Sequence, residues 1–179
     1  MQEYDLTVGM HSSDDGMTRY YNQWEGHYKE HLPFADISPF ADIMHYSSRG
    51  IHDAMASAIG HGMLTRFPKL RILPVENGSH WVVPLMEALE HSYRKQPTFW
   101  DEDPVAVLKR NIWIHPFFEE DPMSLINAIG TDKVVFGSDY PHPEGLADPV
   151  SYATRELAGM SEEDLKKVMG QNLADCLKV

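Results

Sequence analysis

The stretch Lys133 to Glu144, KVVFGSDYPHPE, constrains this chain more than any other. Val134, Val135 and Phe136 are β-branched or aromatic and read as a buried strand, while Pro141, Pro143 and Gly145 forbid its continuation. The apolar run stops at Gly137 and delivers Asp139 and His142 onto a loop. In α/β folds, a carboxylate just past the C-terminal end of a buried parallel strand is where the chemistry is kept. Asp139 is therefore the first functional candidate. The plainer alternative is that Ser138 and Asp139 cap the next segment by accepting free backbone N–H groups, and spacing alone leaves both open.

A chain of 179 residues buries the core of one domain, and no linker-like composition divides residues 1–179. A net charge of −12 argues against a general binder of nucleic acid or anionic membrane, because either polyanion repels it. Cys176 is the single cysteine, which rules out an internal disulfide and suits a reducing compartment. No apolar run is long enough to span a bilayer, and residues 1–10 are too polar for a signal peptide, so a soluble cytoplasmic protein is the expectation. Ten histidines supply many potential metal ligands and proton carriers.

Along the chain, Asp5 to His11 reads as a strand ending in His11, followed by the turn-formers Ser12, Ser13, Asp14, Asp15 and Gly16. Residues 17–50 hold no sustained period and carry Tyr20, Tyr21, Trp24, Tyr28, Phe34, Phe40 and Tyr46 among His27, His31 and His45. Such a stretch suits a lid or a binding wall, or a pair of short helices packed on the domain. Helical spacing runs from Ile51 to Phe67 and closes at Pro68. Arg71 to Val75 then reads as a strand with Glu76, Asn77 and Gly78 as its C-terminal loop, and Val82 to Arg94 as a helix with Pro84 in its first turn. Asn111 to Phe117 is a third apolar segment. A short helix through Met123, Leu125, Ile126 and Ile129 leads to the strand at Val134. The last helix, Ser161 to Lys178, opens with Ser161 and Asp164 spaced as a capping box.

Strand and helix thus alternate four times, which implies parallel strands with right-handed crossovers. Four βα units allow an open doubly wound sheet or one half of an eight-unit barrel. Neither G-x-G-x-x-G nor a P-loop is present to support the first. The strand ends carry His11, Glu76, His115 and Asp139 instead, and a barrel would gather these at one mouth. Each has an ordinary structural reading as a hydrogen-bonded strand-end residue. No pair has the local spacing of a strong zinc motif.

The run GMLTRFPKLRILPVENGSHW (62–81), then VFGSDYPHPEG, then a helix ending in GQNLADCL resembles the C-terminal half of the amidohydrolase superfamily, in the amidohydrolase-related group that includes 2-amino-3-carboxymuconate-6-semialdehyde and γ-resorcylate decarboxylases. The resemblance implies a TIM-type (β/α)8 barrel, with this chain as roughly its last four βα units, and a divalent metal, usually zinc, at the mouth. It places Asp139 at the strand-eight aspartate, which binds metal or handles the proton of the activated water, and His11 at the strand-five histidine, a metal ligand. Glu76 stands where many members have histidine, and is a candidate third ligand on its chemistry. The first-strand H-x-H pair is missing, and none of the ten histidines has another two positions away.

The reaction expected from this resemblance is metal-dependent hydrolysis of a small, aromatic or cyclic substrate, with Trp24, Trp81, His115 and His142 facing it. The alternatives are decarboxylation by the same mouth, or a truncated barrel half without catalysis. An open half barrel would expose two parallel strand edges, so a homodimer or a separate N-terminal half is the expected partner.

Overall fold

A computed structural model describes residues 1–12, 16, 18–26, 38–44, 46–143 and 145–179. Glu144 and, of the lid expected over residues 17–50, residues 17, 27–37 and 45, with His27, Tyr28, His31, Phe34 and His45 among them, lie outside these. The elements in order are β1 (Thr7–His11), α1 (Thr18–Glu25), α2 (Pro39–Ile43), α3 (Tyr46–Gly60), α4 (Met63–Arg66), β2 (Arg71–Val75), α5 (Val82–Lys95), α6 (Pro104–Asn111), α7 (Pro122–Ile129), α8 (Ser151–Arg155), α9 (Glu162–Lys166), a π-helical turn (Lys167–Gln171) and α10 (Asn172–Leu177).

The organising sheet is parallel. β1 and β2 pair in the register Thr7↔Arg71 to His11↔Val75, and parallel bridges Ile72↔Ile112 and Ile114↔Val134 carry the pairing on through residues 112–114 and 134. Side chains on such a surface alternate between its faces. Ile72, Ile112, Ile114 and Val134 accordingly join the main core with Met55, Leu64, Leu85, Leu108 and Leu125 of the helices. Leu73, Trp113 and Val135 point to the opposite face and meet Cys176 of α10. The α/β reading holds, with parallel pairing.

The segment at Val134 is shorter as a strand than its apolar run implies. The Phe136 amide donates to the carbonyl of Val168, at 3.0 Å, rather than to a neighbouring strand. Asn172 Nδ2 donates to the carbonyls of Thr131 and Val134 at 2.6 and 2.7 Å. The C-terminal helical region therefore covers this edge, which corrects the expectation of two bare edges. β1 lies at the other end and pairs with β2 alone among the described residues.

Arg71 ties the two chain ends together. Its buried guanidinium donates through Nε to the Cys176 carbonyl at 2.7 Å and to Thr7 Oγ1 at 3.0 Å, and through Nη1 to Asp5 Oδ1 at 2.5 Å. This satisfies a carbonyl in the last turn of α10, which has no partner inside its own helix.

Helix ends follow local chemistry. Asp103 and Asp121 cap α6 and α7 with their carboxylates, and Pro104 and Pro122 occupy the first turn, where a missing N–H costs nothing. The single helix expected from Ile51 to Phe67 is broken, because Gly62 takes a left-handed φ of 69° between α3 and α4. No helix among the described residues is long and apolar enough to cross a membrane.

Candidate functional site

Four segments of one parallel sheet end on the same side, and their next residues are the candidates. His11 closes β1 and Glu76 follows β2 directly. Because β1 and β2 are adjacent and in register at His11↔Val75, the two side chains meet, with His11 Nε2 at 2.7 Å from Glu76 Oε2. His11 Nδ1 lies 2.8 Å from the Ser12 carbonyl. A carbonyl only accepts, so the Nδ1–H tautomer suits this contact and leaves Nε2 facing the carboxylate. The pair sets an imidazole against a carboxylate on the rim of the sheet.

Glu76 and Asp139 share a further property. Both take a left-handed backbone, at φ 57° and 53°, which costs a residue with a Cβ roughly 1–2 kcal/mol each. Such strain persists where the surroundings fix it. Around Glu76 the fixing group is Asn77, whose Nδ2 donates to the carbonyls of Met10 and Val75 at 2.8 and 2.7 Å. Around Asp139 it is the loop itself. The His142 amide donates to the Asp139 carbonyl at 2.8 Å, and the Leu146 amide to that of Ser138 at 2.8 Å.

Ser138 Oγ accepts the Tyr140 amide at 3.2 Å, so the capping part falls to Ser138. The Asp139 carboxylate takes no backbone amide among the described residues and faces His142 instead, Nδ1 to Oδ2 at 3.5 Å. Asp139 and His142 are both exposed.

The remaining candidates are placed differently. His115 Nε2 faces the Gly137 carbonyl at 3.1 Å and ties the third segment to the fourth. Trp24 is half exposed and packs against Tyr20 and Phe40 at ring distances of 6.1 and 6.0 Å, an aromatic cluster joining α1 and α2. Trp81 corrects the expectation of a substrate wall: it is 2% exposed, belongs to the main core, and donates its indole N–H to the Gly78 carbonyl at 3.0 Å. Glu120, which nothing in the sequence singles out, is buried against the loop that follows Glu76. Its signal is tertiary, since its partner Ser79 is 41 residues away.

Residues 1–177 match the amidohydrolase family. The chain belongs to the amidohydrolase family. An amidohydrolase of Mycobacterium avium subsp. paratuberculosis K-10 is 43% identical over 98% of this chain and 43% of its own, with a TM-score of 0.86. The fold is shared more distantly with 5-carboxyvanillate decarboxylase from Sphingomonas paucimobilis, at 19% identity, 99% and 51% coverage and a TM-score of 0.71. It is shared also with a dihydroxybenzoic acid decarboxylase from Polaromonas sp. JS666 whose structure holds manganese and 2-nitroresorcinol, at 17% identity, 99% and 51% coverage and a TM-score of 0.66. The chain spans about half or less of each of these proteins.

The dihydroxybenzoic acid decarboxylase that shares the fold holds manganese. His11 and Glu76 are ligand-type donors in contact, but no three His, Cys, Asp or Glu side chains converge among the described residues. A catalytic zinc ordinarily takes three protein ligands, and the described residues bring only these two together here. By themselves the described residues do not fit a resident divalent metal.

Proposed function

We propose that this chain is the part of an amidohydrolase-type hydrolase that carries His11, Glu76 and Asp139, acting on a small aromatic or cyclic substrate. The observation that carries the reading is the 2.7 Å contact between His11 and Glu76 at the C-terminal ends of adjacent parallel strands, in a chain of this family. In this reading the chain is roughly the last four βα units of a TIM-type barrel, a half barrel whose mouth holds the strand-end residues. Asp139 is the base that takes the proton of the attacking water. The His11–Glu76 pair holds a proton for the leaving group. His142, His115 and Trp24 stay on the substrate side.

A divalent metal, zinc by family resemblance, belongs to this reading only with donors from beyond the described residues. No step is assigned to it. The partner belongs here too, either a second copy or a separate N-terminal half. The support is the outer edge of β1, which pairs with no other strand among the described residues, and the cavity of about 1060 Å³ beside it, lined by Val8, Met10, Met55, Met63, Phe67 and Ile72 among others. A cytoplasmic setting remains the expectation from composition.

The test is a panel of lactones, amides and aromatic acids, assayed for hydrolysis and for carbon dioxide release with wild type and Asp139→Asn. Hydrolysis that falls by roughly 10²–10⁴ in the variant supports the assignment. Carbon dioxide release in place of hydrolysis selects decarboxylation, the reaction of two proteins that share the fold. If neither reaction occurs and Asp139→Asn alters only stability, the chain is a non-catalytic barrel half.

A further inference from the structure

We propose that Glu120 is a positioning residue for the His11–Glu76 pair. Glu76 holds its left-handed backbone only as part of a four-residue turn, Glu76–Asn77–Gly78–Ser79, and that turn is gripped at both ends. Asn77 fastens its near end to the carbonyls of Met10 and Val75. Glu120 fastens the far end, its buried carboxylate accepting the Ser79 amide through both oxygens, at 3.0 and 2.9 Å, and the Ser79 hydroxyl through Oε2.

The grip is close enough to dictate the residue between. Gly78 sits at φ 61°, and a Cβ there would lie 2.4 Å from Glu120 Oε1 and 2.8 Å from Phe117 Cδ2. Only glycine fits, so the Glu120 loop and the Glu76 turn are packed in direct contact. Every hydrogen bond that Glu120 makes here is accepted, which suits a carboxylate and not an amide. Glutamine at this position would turn its NH₂ toward the Ser79 donors. His80 Nδ1, 3.7 Å away and exposed, is the ionisable side chain in ion-pair range of the carboxylate among the described residues.

The inference rests on the reading of His11 and Glu76 as the working pair, but its test does not depend on turnover. The ring ¹⁵N shifts of His11 are recorded at one pH in the full chain, for wild type, Glu120→Gln and Ser79→Ala, with the backbone amide spectrum reporting that each remains folded. Release of the turn moves Glu76 away from Nε2, so the expected result is a shift of the His11 Nε2 resonance in both variants. The rings of His52 and His91, on α3 and α5, should not change.

An unmoved His11 ring in folded Glu120→Gln overturns the proposal. If that variant does not fold, an unmoved ring in Ser79→Ala does so. Loss of all turnover in wild type would remove the functional reading instead, and would leave the ring-shift result standing on its own.

Discussion

The amide of Phe136 donates to the carbonyl of Val168 at 3.0 Å, so the strand segment at one end of the sheet is finished by a π-helical turn and not by another strand. β1 at the other end has no such cover among the described residues. The Ser12 amide points to the Val75 carbonyl at 3.0 Å, and donors alternate along a parallel strand, so the amides of Thr7, Gly9 and His11 face outward. In a dilute monomer, hydrogen exchange at Gly9 should be fast and at Phe136 slow. Raising the concentration should slow Gly9 if a second copy pairs with this edge. Equal protection of the two amides in a monomer would refute the one-sided edge.

Asn172 is the side chain that locks the C-terminal helix onto the sheet. It is 4% exposed, and its Nδ2 serves two carbonyls at 2.6 and 2.7 Å. Asn172→Ala removes the side-chain donor from the buried Val134 carbonyl, while the Thr131 carbonyl keeps the Val134 amide at 3.3 Å, and the expected loss is about 1–3 kcal/mol. A fall in the urea midpoint with an unchanged slope would agree. A loss below about 0.5 kcal/mol, the range of ordinary surface substitutions, would show that water reaches these carbonyls.

Much of this was legible in the chain because it is local. Arg71 to Val75 is a strand with the bounds its apolar run implies, α5 begins at Val82 with Pro84 in its first turn, and Ser161 accepts the Asp164 amide at 3.1 Å as a cap should. The pair Asp103–Pro104 announces α6 in the same way that Asp121–Pro122 announces α7, yet the first lies in a polar stretch whose apolar period is weak. Contacts distant in sequence left no such trace. The strand at Val134 is short because Val168 takes the Phe136 amide. Trp81 looked like a binding aromatic because nothing local says that α5 turns it inward. The meeting of His11 with Glu76 needed the register of β1 on β2, and Glu120 needed a partner far away in the chain.

Gly137 is required by space. A Cβ on it would lie 2.5 Å from His115 Nε2 and 2.9 Å from Cε1, against a ring already bonded to the Gly137 carbonyl. Gly137→Ala must push His115 aside and carry Ser138 and Asp139 with it, at a cost of roughly 1–3 kcal/mol. The check is a double-mutant cycle with His115→Ala, which vacates the space the new methyl needs. The double variant should be more stable than the sum of the two single losses implies. Simple additivity would mean that the ring is not what makes the glycine necessary.

Acid sensitivity should come from four carboxylates held below their ordinary values, Asp5 by Arg71, Asp121 by the Ser124 hydroxyl and the Met123 amide, and Asp164 and Glu102. The Ser161 and Thr131 hydroxyls, each 2.9 Å from Asp164, and then the Lys167 ammonium hold that carboxyl below its ordinary value of 3.8. Arg110 grips Glu102 through two nitrogens at 2.6 and 3.0 Å and, with Thr65, holds it below 4.5. All four groups bind a proton less readily in the folded chain than in the unfolded one. Their contribution is therefore complete above those ordinary values and is lost as pH falls through the lower folded ones. Urea midpoints from pH 6 down to pH 2 should stay level to about pH 4.5 and then fall. Asp164→Asn and Glu102→Gln should each start lower and fall less steeply. Parallel curves for wild type and both variants would place the acid sensitivity in other groups.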